Sequence, residues 1–363
     1  MNMKRHAALS ILCAVSLVAC QGEVDLGGEQ PDSGSSPTSV TSTASSPASV
    51  TSTASSSASA STGSGTPSVG DTSTNDTPAA SPSCPDPPRG VPVVLATQSQ
   101  AWAIAADATN VYWATQLGGP AWAVPIAGGT ATMLDMQSTF TLALDATNVY
   151  SVGNGQVVAC AKSGCGGTPR VIATAGSDSM GIVVDADNVY WAESLNGTIW
   201  KAPITGGDAT AFAQSGWPYE MAIDADNVYW SDNRGYVMKA PKAGGDSTSL
   251  VSGLAHEVLG IAVDANNVYF TLGNGVIMQA PIAGGTPITL SENGGNEPWG
   301  IAVDATSVYW ANTQTNTILR VNIGGGCEQT LATNQSAATG IAVDDANVYW
   351  TNWQTGQIMK LAK

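Results

Sequence analysis

Carboxylate side chains recur in this sequence at a spacing that could build a metal site. An aspartate returns every 38 to 40 residues, at Asp107, Asp145, Asp185, Asp224, Asp264, Asp304 and Asp344. Carboxylate oxygens suit Ca²⁺ and other hard cations. Six of these seven aspartates, however, have asparagine three residues later, which is typical of turns that hydrogen-bond their own backbone. We therefore predict a repeated structural turn and neither a metal site nor a cofactor; calcium stays an alternative that no residue pattern supports.

Nucleophilic catalysis and phosphate binding have little support in the sequence. The chain has two histidines, His6 in an apolar leader and His256, so no Ser-His-Asp or Cys-His set can be assembled by pattern. The Gly-Gly pairs do not carry the Gly-Lys-Ser/Thr signature of a phosphate loop. A formal charge of −16 with only 12 Lys and Arg argues against nucleic acid as a partner.

The elements that must position any site belong to one repeat of about 40 residues. In the copy at 260–290, short apolar segments at 260–264, 268–271, 276–280 and 286–290 alternate with Gly and Asn turns. Four short strands per repeat of this length are typical of one β-propeller blade. The sequence therefore predicts an all-β, seven-bladed β-propeller over residues 89–363, with four strands in each blade.

The ends of the repeat array predict how the ring closes. The last copy stops at Lys363 before a fourth strand, whereas residues 90–97 precede the first copy and read like 326–333. We expect this N-terminal strand to complete the last blade, because pairing the two ends removes the open sheet edges.

Aromatic residues follow the repeated turn in every copy. Tyrosine recurs at 112, 150, 190, 229, 269, 309 and 349, and the next residue is Trp in five copies. Alternation along a strand places the two rings on opposite faces of the sheet. We therefore predict that these rings fill the contacts between blades.

Two of these segments carry a family resemblance. Val-Tyr-Trp-Ser-Asp at 228–232 and Val-Tyr-Trp-Thr-Asn at 348–352 resemble the YWTD repeats of the low-density-lipoprotein-receptor type. The resemblance implies a propeller with a binding role and transfers no catalytic site. Only one copy, at Asp232, keeps the final Asp. That family usually has six blades, and a count of seven is similar to virginiamycin B lyase and related bacterial propellers.

Specific chemistry is expected where the copies differ. In propellers, the loops entering each innermost strand and the loops joining the second and third strands gather at one face around the axis. The candidate ligand-binding residues on these loops are Trp102, Glu193, Trp217, Glu220, Asp232, Asn233, His256, Glu297, Trp299, Asn312 and Asn352. Aromatic rings interleaved with carboxylates and amides predict a binding or scaffolding module for a protein, peptide or carbohydrate. The alternative is a propeller enzyme, a lyase or metal-dependent lactone hydrolase, with its site in the central channel.

The N-terminal region predicts export and anchoring. Residues 1–19 have a short basic start and an apolar run, as in a signal peptide. The segment ending at Cys20 resembles the bacterial lipoprotein box, which implies lipid on Cys20 and a membrane as partner. Gln21 after this cysteine implies the outer membrane. Residues 20–88 are rich in Ser and Thr and are predicted to form a disordered linker.

Four cysteines remain beyond the leader and Cys20, and they allow three pairings. Cys160 and Cys165 flank a short turn, and we predict a disulfide between them because exported proteins retain such bonds. The remaining pair, Cys84 with Cys327, would attach the end of the linker to a blade next to the closure.

Overall fold

Short apolar segments ending in Gly and Asn turns form all the regular structure of the described chain. The computed structural model describes Cys84, Asp86, Gly295 and residues 90–116, 119–137, 141–176, 178–292 and 297–363. The predicted leader at 1–19, the lipidation site at Cys20 and the linker up to residue 83 lie outside the described residues. Within that part of the chain there are strands and no helices.

The strands, in chain order, are β1 Val93–Thr97, β2 Ala101–Ala106, β3 Asn110–Thr115, β4 Pro120–Pro125, β5 Thr132–Gln137, β6 Leu142–Leu144, β7 Asn148–Gly153, β8 Gln156–Ala161, β9 Arg170–Thr174, β10 Ser179–Val184, β11 Asn188–Glu193, β12 Thr198–Pro203, β13 Thr210–Gln214, β14 Pro218–Ile223, β15 Asn227–Asp232, β16 Tyr236–Pro241, β17 Thr248–Val251, β18 Val258–Val263, β19 Asn267–Leu272, β20 Ile277–Pro281, β21 Ile288–Ser291, β22 Pro298–Val303, β23 Ser307–Asn312, β24 Thr317–Asn322, β25 Gln329–Ala332, β26 Ala338–Val343, β27 Asn347–Asn352 and β28 Gln357–Ala362.

These strands form seven four-stranded antiparallel sheets, each built from strands consecutive in the chain except the last. Blades 1 to 6 are β2–β5, β6–β9, β10–β13, β14–β17, β18–β21 and β22–β25. Blade 7 contains β26–β28 and β1. The predicted seven-bladed propeller is confirmed.

Ring closure follows the sequence prediction. Strand β1 pairs antiparallel with β28, with Val93 opposite Lys360 and Thr97 opposite Gln357. The first strand of the array thus becomes the outer strand of the last blade. The N-terminal closing strand is confirmed.

The repeated aromatic residues fill the contacts between blades, as predicted. Trp230 of blade 4 packs in one buried cluster with Tyr190 of blade 3. Across the closure, Trp113 of blade 1 packs with Tyr349 of blade 7. All seven tyrosines and the five tryptophans that follow them are almost completely buried. This burial removes large apolar area from water and is a main source of stability.

Each repeated aspartate holds a turn, which confirms the structural interpretation of the motif. In blade 4, Asp224 Oδ1 accepts hydrogen bonds from the Asp226 and Asn227 N–H groups at 2.8 and 2.6 Å. The Tyr229 hydroxyl donates to the second oxygen at 2.6 Å. The equivalent tyrosine–aspartate bond occurs in all seven blades, at 2.6 to 3.2 Å. The sequence reasoning did not anticipate this bond, because it considered the tyrosine only as an apolar filler.

Both predicted disulfides are present. Cys160 is bonded to Cys165, and Cys84 is bonded to Cys327 in the turn between β24 and β25 of blade 6. The guanidinium of Arg320, a buried residue of β24, donates to the carbonyl of Asp86. The segment before β1 is therefore fixed to blade 6 by a covalent bond and a hydrogen bond.

A search for membrane-spanning helices over the described residues finds none of the required length and apolarity.

Candidate functional site

A β-bulge near the start of the inner strand directs one side chain toward the propeller axis in six of the seven blades, all except blade 2. In β2, Ala101 pairs with Thr115 and Ile104 with Trp113, so two inner residues oppose one partner. The same register shift occurs in blades 3 to 7. A bulge of this kind changes the direction of a side chain. Residues at this bulge position, five before the repeated aspartate, are Trp102, Met180, Tyr219, Leu259, Trp299 and Thr339.

Hydroxyl groups fix the bulges against the neighbouring blade. Thr351 Oγ1 accepts a hydrogen bond from the Gly340 N–H at 2.9 Å and donates to the Trp102 carbonyl at 2.7 Å. Ser231 and Thr271 make the equivalent bridges in blades 4 and 5. Each bridge satisfies a backbone N–H that the bulge leaves without a ladder partner. The bulge residues are therefore held by both their own blade and the next.

Four aromatic rings meet at the axis, and we call Trp102, Tyr219, Trp299 and Trp353 the axial aromatic cluster. The Trp299 ring lies 5.8 Å from that of Trp102 and 5.7 Å from that of Tyr219, between ring centroids. Trp353, in the loop after β27, packs edge-on against Trp102 at 6.4 Å. Blades 1 and 6 are not neighbours, and neither are blades 4 and 6, so these contacts are made across the channel. All four residues are partly exposed, although protein surrounds the Tyr219 hydroxyl almost completely.

Glu220 occupies an inner-strand position where most blades have glycine. The corresponding residues of blades 3, 5, 6 and 7 are Gly181, Gly260, Gly300 and Gly340. At these glycines an added Cβ would lie only 2.4 to 2.6 Å from a carbonyl oxygen of the next inner strand. The repeated scaffold therefore favours the smallest residue here, and blade 4 departs from it with a long, ionisable side chain.

The surroundings of Glu220 alter its acidity. Protein surrounds the Glu220 carboxyl group, although the residue as a whole is only partly buried. Burial raises the pKa of Glu220 to about 7, and a hydrogen bond from the Met221 N–H opposes this only in part. Burial also raises the pKa of Tyr219, as do the charges of Glu220 and Glu297. The charges of both carboxylates therefore act on the Tyr219 side chain.

Asp232, the last residue of β15 in blade 4, holds the loop that enters the inner strand of that blade. Its Oδ2 accepts hydrogen bonds from the Ser215 hydroxyl at 2.7 Å and the Gly216 N–H at 2.9 Å. The Arg234 guanidinium donates to the same carboxylate. Burial by itself raises the pKa of Asp232, but the hydrogen bonds from Arg234 and Ser215 outweigh it and lower the pKa to about 2.

Three other predicted residues stand at the same position of their blades and are buried. Glu193 accepts hydrogen bonds from the Gly176 N–H at 2.5 Å and the Trp191 indole N–H at 3.3 Å. Asn312 accepts from the Thr315 N–H at 3.3 Å, and Asn352 donates to Gln335 Oε1 at 3.1 Å. These side chains, at the end of the second strand of each blade, are therefore bonded to adjacent loops, and we call this the rim position.

The remaining candidates lie on the loops themselves. Trp217 is partly exposed before β14, and its carbonyl accepts a hydrogen bond from the Asn233 N–H at 3.0 Å. His256 is exposed in the loop before β18, and Glu297 is exposed before β22. Of the predicted set, the structure brings the rings of Trp102 and Trp299 together at the axis, and Glu220 follows Tyr219, whose ring contacts Trp299, in β14.

Tyr219 and Trp353 complete this site; both lie on the variable loops identified from the sequence, although neither was among the candidate ligand-binding residues. The signal for Tyr219 was present: aligning the seven copies on the repeated aspartate puts it in register with Trp102 and Trp299. Trp353 has no such signal, because it lies on a loop of blade 7 whose proximity to Trp102 depends on ring closure.

A cavity and a search for metal ligands complete the description of the site. A cavity of about 300 Å³ at the edge of blade 4 is lined by Gln214, Ser215, Asp232, Arg234, Tyr236, Met238 and Ser249. Within the described residues, no three His, Cys, Asp or Glu side chains converge as a metal site requires.

Comparison with known proteins gives structural similarity only, since no protein-family model and no curated protein matches the chain. Virginiamycin B lyase from Staphylococcus aureus superposes with a TM-score of 0.64 at 15% identity, covering 75% of this chain and 98% of that one. YCF48 bound to D1 peptide gives 0.59 at 11% identity, covering 77% and 96%. The nidogen/laminin complex gives 0.50 at 21% identity, covering 60% and 89%. At these identities, the similarity establishes that the chain has a β-propeller fold.

Proposed function

We propose that this protein is a binding module whose ligand docks on the axial aromatic cluster. The observation that carries the proposal is that rings from blades 1, 4 and 6 converge on the axis and stay partly exposed. Exposed aromatic rings at a concave centre offer a large apolar contact area at low entropic cost. Such residues dominate the energetics of many binding sites.

The scaffold does not require these rings. The aromatic residues that hold the blades together are almost fully buried, whereas the bulge position varies from Trp102 to Met180 to Thr339 among the copies. If these side chains only filled the channel, aliphatic residues would be sufficient and would leave no polar indole at the surface. The variation therefore supports a role in recognition.

The ligand classes that fit are a protein, a peptide or a carbohydrate. Peptide binding by YCF48, a propeller of similar fold, supports the peptide class by analogy alone. Sugars also stack on partly exposed tryptophan, and the carboxylate of Glu220 could accept hydrogen bonds from either class.

Peptide and glycan arrays test the proposal with the intact protein and single alanine variants. We expect Trp102→Ala and Trp299→Ala each to weaken the binding of array ligands at least tenfold, because each removes a central ring. Trp200→Ala is the matched control, since Trp200 is also partly exposed but lies on β12 away from the axis. Equal losses in all three variants, or ligands indifferent to both axial rings, would contradict the proposal.

One observation favours an enzyme as the second candidate. The pKa of Glu220 is raised to about 7 by burial, which suits a general base near neutral pH. The structural similarity to virginiamycin B lyase supplies a substrate to try. Incubation with virginiamycin B, with and without Mg²⁺, followed by mass spectrometry, would reveal a product that Glu220→Gln fails to form; an unchanged antibiotic removes this candidate reaction.

The cellular location is a separate part of the proposal. The segment before Cys20 supports export and lipid attachment, and Gln21 supports the outer membrane as the destination. Labelled palmitate should be incorporated into the wild-type chain and not into Cys20→Ser, and the wild type should sediment with outer-membrane fractions. A wild-type chain recovered without label would contradict lipidation.

A further inference from the structure

We infer that the channel mouth takes its ligand by a primary ammonium group, held by Glu220 beside the rings of Tyr219 and Trp299. This inference rests on the proposed binding function and specifies the ligand chemistry of the same site. The ammonium group could belong to a lysine side chain, a peptide amino terminus or a free polyamine.

The first support is the isolation of Glu220 in the inner strands. Among the seven inner strands, β2, β6, β10, β14, β18, β22 and β26, Glu220 is the single residue that carries a charge at neutral pH. The residues at the equivalent position of the other six blades are Gly, Ala or Thr. A carboxylate in an apolar channel is costly unless something compensates it. A scaffold that repeats glycine at this position gains nothing structural from the glutamate.

The second support is the lack of a basic partner within the described chain. The cations of the described ion pairs are Lys162, Arg234, Lys242 and Lys363, which bond to other aspartates. The one hydrogen bond that favours the charged form of Glu220 comes from the Met221 N–H. A carboxylate has about four acceptor positions, so most of the hydrogen-bonding capacity of Glu220 has no partner among the described hydrogen bonds.

The third support is the aromatic surface next to this carboxylate. Tyr219 precedes Glu220 in β14, and its ring lies 5.7 Å from that of Trp299. Aromatic faces attract cations and also accept the methylene stem of an alkylammonium ion. Glu297, whose charge acts on Tyr219, adds a second negative group at the mouth. Together these groups favour a cation with an apolar stem over an anion or a neutral polar molecule.

A primary ammonium suits this site better than a quaternary one. Its N–H groups can donate to the unpaired lone pairs of Glu220, whereas a quaternary nitrogen has no donor. The ligand then forms charge-assisted hydrogen bonds at one end and ring contacts along its stem.

Binding should depend on pH because a proton and the ammonium compete for the same carboxylate. With the pKa of Glu220 at about 7, the ionised fraction rises from roughly 10% at pH 6 to roughly 90% at pH 8. Affinity should therefore rise about tenfold over this interval. The other titratable groups at the site are Tyr219, which stays neutral here, and Glu297. Strands β10, β11, β15 and β18 pack against β14. Their titratable side chains are Tyr190 and Glu193 of β11 and Tyr229 and Asp232 of β15. The pKa values of both tyrosines are raised and that of Asp232 is lowered, so these three groups do not change charge between pH 6 and pH 8, and the Glu193 carboxylate accepts a hydrogen bond from the Gly176 N–H.

The experiment titrates purified protein with n-butylammonium, tetramethylammonium and n-butanol and follows tryptophan fluorescence and heat. We expect saturable binding of n-butylammonium at least tenfold tighter than that of either other probe at pH 8. Glu220→Gln should weaken it at least tenfold and abolish the pH dependence, whereas Glu292→Gln, the matched control at an exposed position directly after the outer strand β21, should change affinity less than threefold. Glu220→Gly, which restores the residue of four other blades, gives a second variant that keeps the scaffold.

Cadaverine, N-acetyl-lysine amide and glycine amide then distinguish polyamine, side-chain and amino-terminal sources. Equal binding of n-butanol and n-butylammonium, or wild-type affinity in both Glu220 variants, would overturn the inference. If array ligands depend on Trp102 and Trp299 but not on Glu220, the binding function stands and the ammonium chemistry fails. If they depend on none of these residues, both proposals fail.

Discussion

The two disulfides allow a direct test of how the ring is held closed. The double variant Cys84→Ser/Cys327→Ser removes a bond between residues 243 positions apart, and Cys160→Ser/Cys165→Ser removes one between residues 5 apart. Both variants lose one covalent bond and change two side chains in the same way. They differ in how much of the chain each bond encloses, so each is the control for the other.

The expected cost follows from the entropy of the unfolded chain. Closing a loop of n residues lowers that entropy by about 2.1 + 1.5R ln n cal/mol/K, which gives about 5.5 kcal/mol for the long loop and about 2 kcal/mol for the short one at 25 °C. The long bond also keeps Asp86 near Arg320, whose hydrogen bond should be lost with it. We therefore expect the Cys84/Cys327 variant to be less stable than the Cys160/Cys165 variant by at least about 3.5 kcal/mol.

Urea unfolding at pH 7, followed by tryptophan fluorescence and circular dichroism, measures this difference. The wild type under reducing conditions should lose about the sum of the two costs, and deletion of residues 90–97, which removes β1, should be at least as damaging as loss of the long bond. Equal losses in the two variants would refute the loop-length reasoning. A deletion that leaves the unfolding midpoint unchanged would refute closure by β1.

Other predictions concern the turns and the inner strands. Tyr229→Phe should lower the free energy of unfolding by about 1.5–3 kcal/mol in the same urea assay, since the hydroxyl donates to the Asp224 carboxylate at 2.6 Å; an unchanged midpoint would show that this bond contributes nothing net. In the folded protein, burial raises the pKa of Asp224, but the hydrogen bonds from Tyr229 and the turn outweigh burial and lower the pKa overall. The contribution of Asp224 to the free energy of unfolding is therefore complete above the unfolded pKa of about 3.9 and is lost as the pH falls below it. The melting temperatures at pH 7 and pH 3 should differ less in Tyr229→Phe than in the wild type. Thr351→Val should cost about 1–3 kcal/mol, because the Gly340 N–H loses its acceptor while the Trp102 carbonyl keeps a longer bond from the Thr339 hydroxyl, and Thr351→Ser should restore most of this stability. Gly300→Ala should cost about 1–3 kcal/mol, because its Cβ would lie 2.4 Å from a carbonyl oxygen of β26; wild-type melting would mean that the inner strands can separate freely.

The scaffold could be predicted in detail because the sequence states it seven times. The aspartate turn, the Tyr-Trp pair and the Gly-Gly turns each recur in register. A strand or turn that is ambiguous in one copy can therefore be assigned from the other copies. Strand β1 was found by the same means, since residues 90–97 match a segment that the last copy lacks. The disulfides followed from the small number of possible cysteine pairings.

The candidate site could be predicted only in part. The loops that carry it were identified, but Glu193, Asp232, Asn312 and Asn352 turn out to be bonded to neighbouring loops at the rim. Sequence reasoning treats every variable polar residue on these loops alike, because it does not know where the hydrogen bonds of each loop go. The rim positions are those where a buried side chain satisfies backbone N–H groups of an entering loop.

The amino-acid sequence by itself determined the architecture of this protein: the number of blades, their strands, the closure and the cysteine pairs. These are local or repeated features, and each depends on spacing, turn chemistry and alternation along one strand. Only the tertiary structure decided which residues meet at the axis. Trp102, Tyr219 and Trp299 are up to 197 positions apart, and their contact depends on ring closure and on the bulge that directs one side chain inward in each of blades 1, 4 and 6. That geometry also places Glu220 in the channel, where burial, and not the residue type alone, gives its carboxyl an altered acidity.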